Sequence, residues 1–212
     1  MSDVAIIDYG MGNLRSVAKA IEHVAPGKRV TVTSDPAVVA AAARVVFPGQ
    51  GAMPDCMREL DLRGLREVVK TAAASKPFLG ICIGQQMLFE HSEEGNVPGL
   101  GILPGGVVRF PDAKMVAADG SRLKVPHMGW NEVCQRQPHP MWEGIPDNER
   151  FYFVHSYFVA PADAALVAAE SDYGTRFTSA VARANIFAVQ FHPEKSAQAG
   201  LKMLANFISW AP

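Results

Sequence analysis

The sequence predicts an α/β protein: a central, mostly parallel β-sheet with helices on both faces, joined in its second half by antiparallel strands. Three observations predict it. Up to Ile81, short Val/Ile-rich runs alternate with helical patterns, as strands buried on both faces of a parallel sheet do. From about residue 101 the texture changes to Val/Ile/Phe-rich stretches with polar interruptions, which read as hairpins. With 212 residues, 49% apolar and 19% charged, the chain can bury a sizeable core as one domain, or at most two.

Taken in order, Val4 to Asp8 is an apolar strand, Tyr9 to Asn13 a glycine-containing turn, and Leu14, Val17, Ala18 and Ile21 mark the buried stripe of a helix. Arg29 to Thr33 forms a second strand, Ala37 to Ala43 a short helix, and Arg44 to Phe47 a third strand ending at the loop Pro48-Gly-Gln-Gly51. Pro77 to Ile81 is a further strand, with a cysteine just past its end. Parallel sheets bind ligands beyond the carboxyl ends of their strands, so the loops at 9–13, 48–51 and 82–86 are expected to meet. The hairpin region comprises Gly106 to Phe110, Leu123 to Val133, Arg150 to Val159, Leu166 to Glu170 and Thr178 to Ala182. Ile186 to Phe191 then returns to the main sheet, and Ser196 to Trp210 closes the chain as a helix.

Gly80-Ile-Cys82-Ile-Gly84 places a cysteine between glycines at the end of an apolar strand. That arrangement is a nucleophile elbow with sulfur in place of oxygen, turning sharply from strand to helix so that the side chain stands exposed at the apex. A thiol at a helix N-terminus is favoured as thiolate. A lone cysteine is ordinarily a small buried hydrophobe; the glycine frame sets Cys82 apart. Downstream, Phe191-His192-Pro193-Glu194 offers an imidazole and a carboxylate two residues apart, which an extended strand would set on one face. Glu194 accepting from one ring nitrogen would fix the tautomer at the other, making His192 the proton carrier for Cys82. Beside such a nucleophile, Gly49, Gln50 and Gly51 could present a backbone amide to an oxyanion, in a loop that moves or flips when substrate binds.

Other functions are disfavoured. Net charge is −1 with scattered basic residues, which gives no footprint for nucleic acid. No apolar run approaches membrane-spanning length and Met1-Ser2-Asp3 lacks a basic n-region, so a cytoplasmic location is expected. Cys56, Cys82 and Cys134 are odd in number and lack paired spacing, which argues against disulfides and a thiolate zinc site. Gly10-x-Gly12 lacks the third glycine of a dinucleotide fingerprint. No metal or cofactor is expected.

The elbow with Gln86, and Phe191 to Glu194, resemble the class I (triad) glutamine amidotransferases. Tyr9 to Val17, Pro48 to Gly51, Lys124 to Asn131, Phe151 to Tyr157 and Gln190 to Ser196 narrow the resemblance to the glutaminase subunits of imidazole glycerol phosphate synthases, over nearly the whole chain. The resemblance implies a flavodoxin-like fold, one amidotransferase domain over residues 1–212, and glutamine hydrolysis by Cys82, His192 and Glu194. It also implies that Gln86, Ser156 and Tyr157 hold the glutamine while the Gly49 to Gly51 loop supplies the oxyanion amide. Gln50 stands where the family usually has Val, which a backbone donor tolerates.

Ammonia released to neutral water is mostly protonated and no longer nucleophilic, and the glutaminase fold leaves no room for a second catalytic domain. The acceptor site is therefore expected on another protein; the resemblance implies a (β/α)8-barrel cyclase subunit in a heterodimer. Asn13, His127, Trp130, Tyr152 and Lys195 match family positions near that interface and its channel mouth. Taken without the family, Trp130 and Tyr152 belong in a core and Lys195 could merely be solvated. Two other readings stay open: a subunit feeding anthranilate or pyridoxal phosphate synthesis, against which Lys124 to Asn131 argues, and a non-catalytic scaffold, against which the intact triad argues.

Overall fold

A computed structural model describes residues 3–111, 113, 115–117 and 120–212. Met1 and Ser2 of the opening tripeptide lie outside the described residues. Five parallel strands form the heart of the sheet in the order β2 (Val30–Thr33), β1 (Val4–Ile7), β3 (Arg44–Gly49), β4 (Phe78–Cys82), β13 (Ile186–Val189). Every residue of β1, β4 and β13 is buried, which explains their unbroken apolar sequences: packed on both faces, they have no solvent side to alternate with.

Beyond β13 the sheet turns antiparallel, through β12 (Arg176–Arg183), β10 (Tyr157–Pro161) and β7 (Gly105–Arg109), and ends on the short strands β5 (His91–Ser92) and β6 (Val97–Pro98). From β12 a second path runs through β11 (Val167–Asp172) to β8 (His127–Gln135) and β9 (Glu149–His155). The predicted change from parallel α/β to antiparallel strands is therefore present. The helix α1 (Leu14–Val24) packs with the final helix α6 (Ala197–Ser209), and α2 (Pro36–Ala41) with α4 (Arg66–Ser75). Lys76 donates to the carbonyls of Val39 and Ala42 at the open end of α2, at 3.3 and 2.7 Å, and to that of Ala40, joining the Ala42 amide that also reaches Val39. No helix among the described residues is long and apolar enough to cross a membrane.

Several boundaries differ from expectation. Residues 52–76, for which the sequence pattern predicts no element, carry α3 (Met53–Leu62) and α4. Met53, Cys56, Met57 and Leu60 form the buried stripe of α3, and Pro54 and Asp55 suit its first turn. The strand expected from Leu123 starts only at His127, after Pro126, which has no N–H for a ladder. Arg150 to Val159 is two strands, because the chain changes partners at Ser156: β9 pairs with β8, whereas β10 pairs with β7 and β12. Strand β3 runs on through Pro48 and Gly49, so only part of the 48–51 segment is a loop.

Candidate active site

Cys82 closes β4 with φ 57° and ψ −116°, a conformation that costs a non-glycine residue free energy and throws its side chain off the sheet. The strain thus falls on the cysteine itself. Neither flanking glycine takes a positive φ; both provide room. A Cβ on Gly80 would come within 2.9 Å of the Ala188 Cβ, and one on Gly84 would collide with the Phe47 carbonyl oxygen. Behind the elbow, α5 (Ile83–Gln86) is a single turn. The helix dipole expected to favour the thiolate is correspondingly slight, since the macrodipole needs aligned turns to accumulate.

His192 comes after the end of β13, and its partnership with Glu194 is made by a 3-10 turn over Pro193–Lys195 rather than along a strand. Nδ1 lies 2.9 Å from Glu194 Oε1, with both side chains almost wholly buried. Because the carboxylate accepts there, Nδ1 carries the hydrogen and Nε2 is the ring nitrogen left for another partner. Burial of the ring opposes its charged form, yet Cys82 and then Glu194 outweigh that and raise its pKa to about 10. Nε2 is buried without a hydrogen-bond partner.

Ser196, which carries no role in the sequence pattern, fixes this turn. Its hydroxyl donates to the His192 carbonyl at 2.6 Å and accepts from the Tyr152 amide at 3.0 Å, while the His192 amide donates to the Tyr152 carbonyl at 2.9 Å. Gly200 of α6 lies so close beneath that a Cβ would strike the Pro193 carbonyl. The imidazole is thus clamped between β9 and α6.

A cavity of about 320 Å³ opens over the elbow. Cys82, His192, Gln50, Gly51, Gln86, Ser156 and Tyr157 all line it, so tertiary structure gathers seven of the expected site residues around one space. Gly49 sits beneath it, paired in register with Cys82 and packed so tightly on the Tyr9 hydroxyl that no side chain would fit. Glu194 stands behind His192. Glu94, Pro126, Val154 and His155 also line the cavity, and the sequence offers no local signal for them. Glu94 Oε2 accepts from the Met53 amide at 2.7 Å, supplying the first turn of α3 with the acceptor it lacks.

Gln86 donates from Nε2 to the Tyr157 carbonyl at 3.1 Å and to Gln190 Oε1 at 2.9 Å, leaving its own buried Oε1 unpaired beside the cavity. Gln190 in turn donates from Nε2 toward Cys82 Sγ at 3.7 Å. Deeper still, His127 Nδ1 and His155 Nε2 lie 2.9 Å apart and His155 Nδ1 is 2.9 Å from the Tyr157 carbonyl. Since that carbonyl only accepts, His155 donates from Nδ1 and receives from His127. Burial lowers the pKa of His127 to about 4 and that of His155 to about 3, keeping both rings neutral as this chain of donors requires.

Residues 5–210 match the family of class-I glutamine amidotransferases. The chain belongs to that family. Within it, the chain is 99% identical, over the full length of both proteins, to the imidazole glycerol phosphate synthase subunit HisH of Aromatoleum aromaticum. It is 71% identical over 209 residues to the protein of the same name from Dechloromonas aromatica, covering 99% of this chain and 97% of that one. Among solved structures, a putative GMP synthase subunit from Thermoplasma acidophilum matches with a TM-score of 0.73 at 18% identity, over 99% of this chain and 93% of the other. A further glutamine amidotransferase matches with a TM-score of 0.71 at 17% identity, over 99% and 100%. These two establish the likeness of fold.

The expected docking residues of this amidotransferase fall into two groups. Trp130 and Tyr152 face each other across β8 and β9 with ring centroids 6.2 Å apart, and Trp130 is 45% exposed, with Met128 beside it 63% exposed. Asn13 is exposed at the start of α1 and Lys195 is half-buried at the catalytic turn. His127 is different: it is 3% exposed and stacked between Phe153 and Tyr173, so its side chain belongs to the interior rather than to a docking face. On β8 the alternation of the strand turns His127 inward while Met128 and Trp130 stay exposed.

Proposed function

We propose that this chain is the glutaminase of an imidazole glycerol phosphate synthase, releasing glutamate and ammonia and handing the ammonia to a partner subunit. The observation that carries the reading is the strained Cys82 facing a buried His192–Glu194 pair at the floor of a cavity. Cys82 Sγ attacks the carboxamide carbon, and the amide of the 49–51 loop receives the oxyanion. His192, protonated at rest, gives its Nε2 proton to the nitrogen as the C–N bond breaks, leaving a glutamyl thioester and ammonia. The now neutral imidazole takes a proton from water, the hydroxide adds to the thioester, and the thiolate leaves. Glu194 holds the ring in one orientation through both halves. Gln86, Ser156 and Tyr157, which line the cavity, hold the bound glutamine.

The partner in this proposal is a (β/α)8-barrel cyclase that adds ammonia to a phosphoribulosyl aminoimidazole-carboxamide nucleotide, giving imidazole glycerol phosphate and an aminoimidazole-carboxamide ribotide. Histidine biosynthesis of this kind takes place in the cytoplasm. Trp130, Tyr152, Asn13 and Lys195 form its docking face. Glutamate formation from glutamine is the test, measured for the chain alone and with the cyclase plus its nucleotide, beside a Cys82→Ala control. A rise that needs both partner and nucleotide and disappears in the variant is the expected result. Glutamate formation indifferent to the cyclase would remove this synthase from consideration.

A further inference from the structure

Gln190 and Cys82 lie 108 positions apart in sequence, yet the Gln190 amide ends 3.7 Å from the sulfur, with both side chains buried. The direction of that contact follows from its surroundings. The Tyr157 carbonyl can only accept, so Gln86 must turn its NH2 group toward it. The second hydrogen of that NH2 group meets Gln190 Oε1 at 2.9 Å. Turning the Gln190 amide over would set NH2 against NH2. Gln190 therefore presents a donor, not an acceptor, to Cys82.

We infer that Gln190 is a positioning residue for the nucleophile, its amide N–H holding the Cys82 sulfur in place and favouring the thiolate over the thiol. This rests on the glutaminase reading and deepens it. An N–H bond to an anionic acceptor is roughly twice as strong as one to a neutral acceptor, so the contact tightens when the thiol ionises. His192 cannot supply this support throughout, because it surrenders its proton to the departing ammonia. The amide keeps its hydrogen, and so it also receives the sulfur when thioester hydrolysis expels it as thiolate. Gln86 joins the two functions: one side chain orients Gln190 and lines the cavity.

The test is the rate of Cys82 alkylation by iodoacetamide between pH 5 and 10, read by mass spectrometry on the Cys82 peptide so that Cys56 and Cys134 do not contribute. In Gln190→Met, which keeps the length and loses the donor, the profile is expected to move to higher pH. On the acid side of the midpoint, a displacement of about one unit leaves a tenth of the thiolate. The more basic sulfur regains part of that, for a net slowing of about threefold, and the alkaline plateau rises above that of the unmodified chain. A general loosening of the site would not cross the two profiles in this way. Superimposable profiles would overturn the inference.

Should Gln190→Met not fold, the intact protein answers instead: the Gln190 side-chain NH2 resonances, in chain labelled with ¹⁵N-glutamine, should titrate with the alkylation midpoint and lose that step in Cys82→Ser. Resonances that do not respond to pH would overturn the inference equally. Neither readout requires glutamine turnover. A displaced profile without glutaminase activity would keep Gln190's role and remove the glutaminase reading; active enzyme with unmoved profiles would do the reverse.

Discussion

Gly84 packs directly against the main chain of Phe47, with no space between them for a methyl group. This contact seats the single turn α5 on strand β3 and so aims Cys82. Gly84→Ala must therefore push the elbow away from the sheet. Because the obstacle is backbone, the expected cost is about 3 kcal/mol of stability with glutaminase activity lost, read from urea unfolding and glutamate assays.

Glu194→Gln leaves the shape of the catalytic turn but removes a charge that supports the His192 imidazolium. The expected loss in kcat is on the order of 10³-fold or more, with KM for glutamine much less altered. Stability carries a second signature. The folded-state pKa of His192, about 10, lies above its ordinary value of 6.5, so its protonation stabilises the fold fully below pH 6.5. That contribution is lost as pH rises from 6.5 through 10. Unfolding free energy measured against pH should fall more gently over this window in Glu194→Gln.

Acid should act through the buried histidine pair. His127 and His155 ionise in the folded chain only near pH 4 and 3, so below pH 6.5 the unfolded chain binds protons that the folded chain refuses. Stability present above pH 6.5 should decline as pH falls toward 4. His127→Leu removes one such group and also strips His155 Nε2 of its donor. It should cost about 1–3 kcal/mol at pH 7 and flatten the acid limb of a stability curve.

Trp130→Ala tests the docking face. With its ring 45% exposed and packed edge-on against Tyr152, its loss should change the unfolding midpoint little, whereas affinity for the cyclase should drop by about tenfold or more in a calorimetric titration. Equal affinity would move the interface elsewhere on the molecule.

Much of the architecture was legible because it is local. The apolar runs of β1, β4 and β13 announce buried parallel strands, and the glycines around Cys82 announce a tight elbow. The reason for those glycines was not legible: they answer to Phe47 and Ala188, residues from other strands. Helix α3 carried a readable stripe in Met53, Cys56, Met57 and Leu60. The break at Ser156 carried none, since it reflects which strand lies alongside rather than any turn residue.

By itself, the sequence determined the parallel strands of the sheet and the helices α1, α2 and α6, the candidate nucleophile at a strand end and an imidazole with its carboxylate close by. Those are properties of neighbours in the chain, governed by periodicity and steric freedom. Tertiary structure alone decided that Gln190 reaches Cys82, that Ser196 ties the catalytic turn to Tyr152, and that of two residues on β8 His127 is interior while Trp130 meets solvent. Each depends on packing between segments far apart in sequence, where only the closed sheet and its covering helices fix which surfaces lose water.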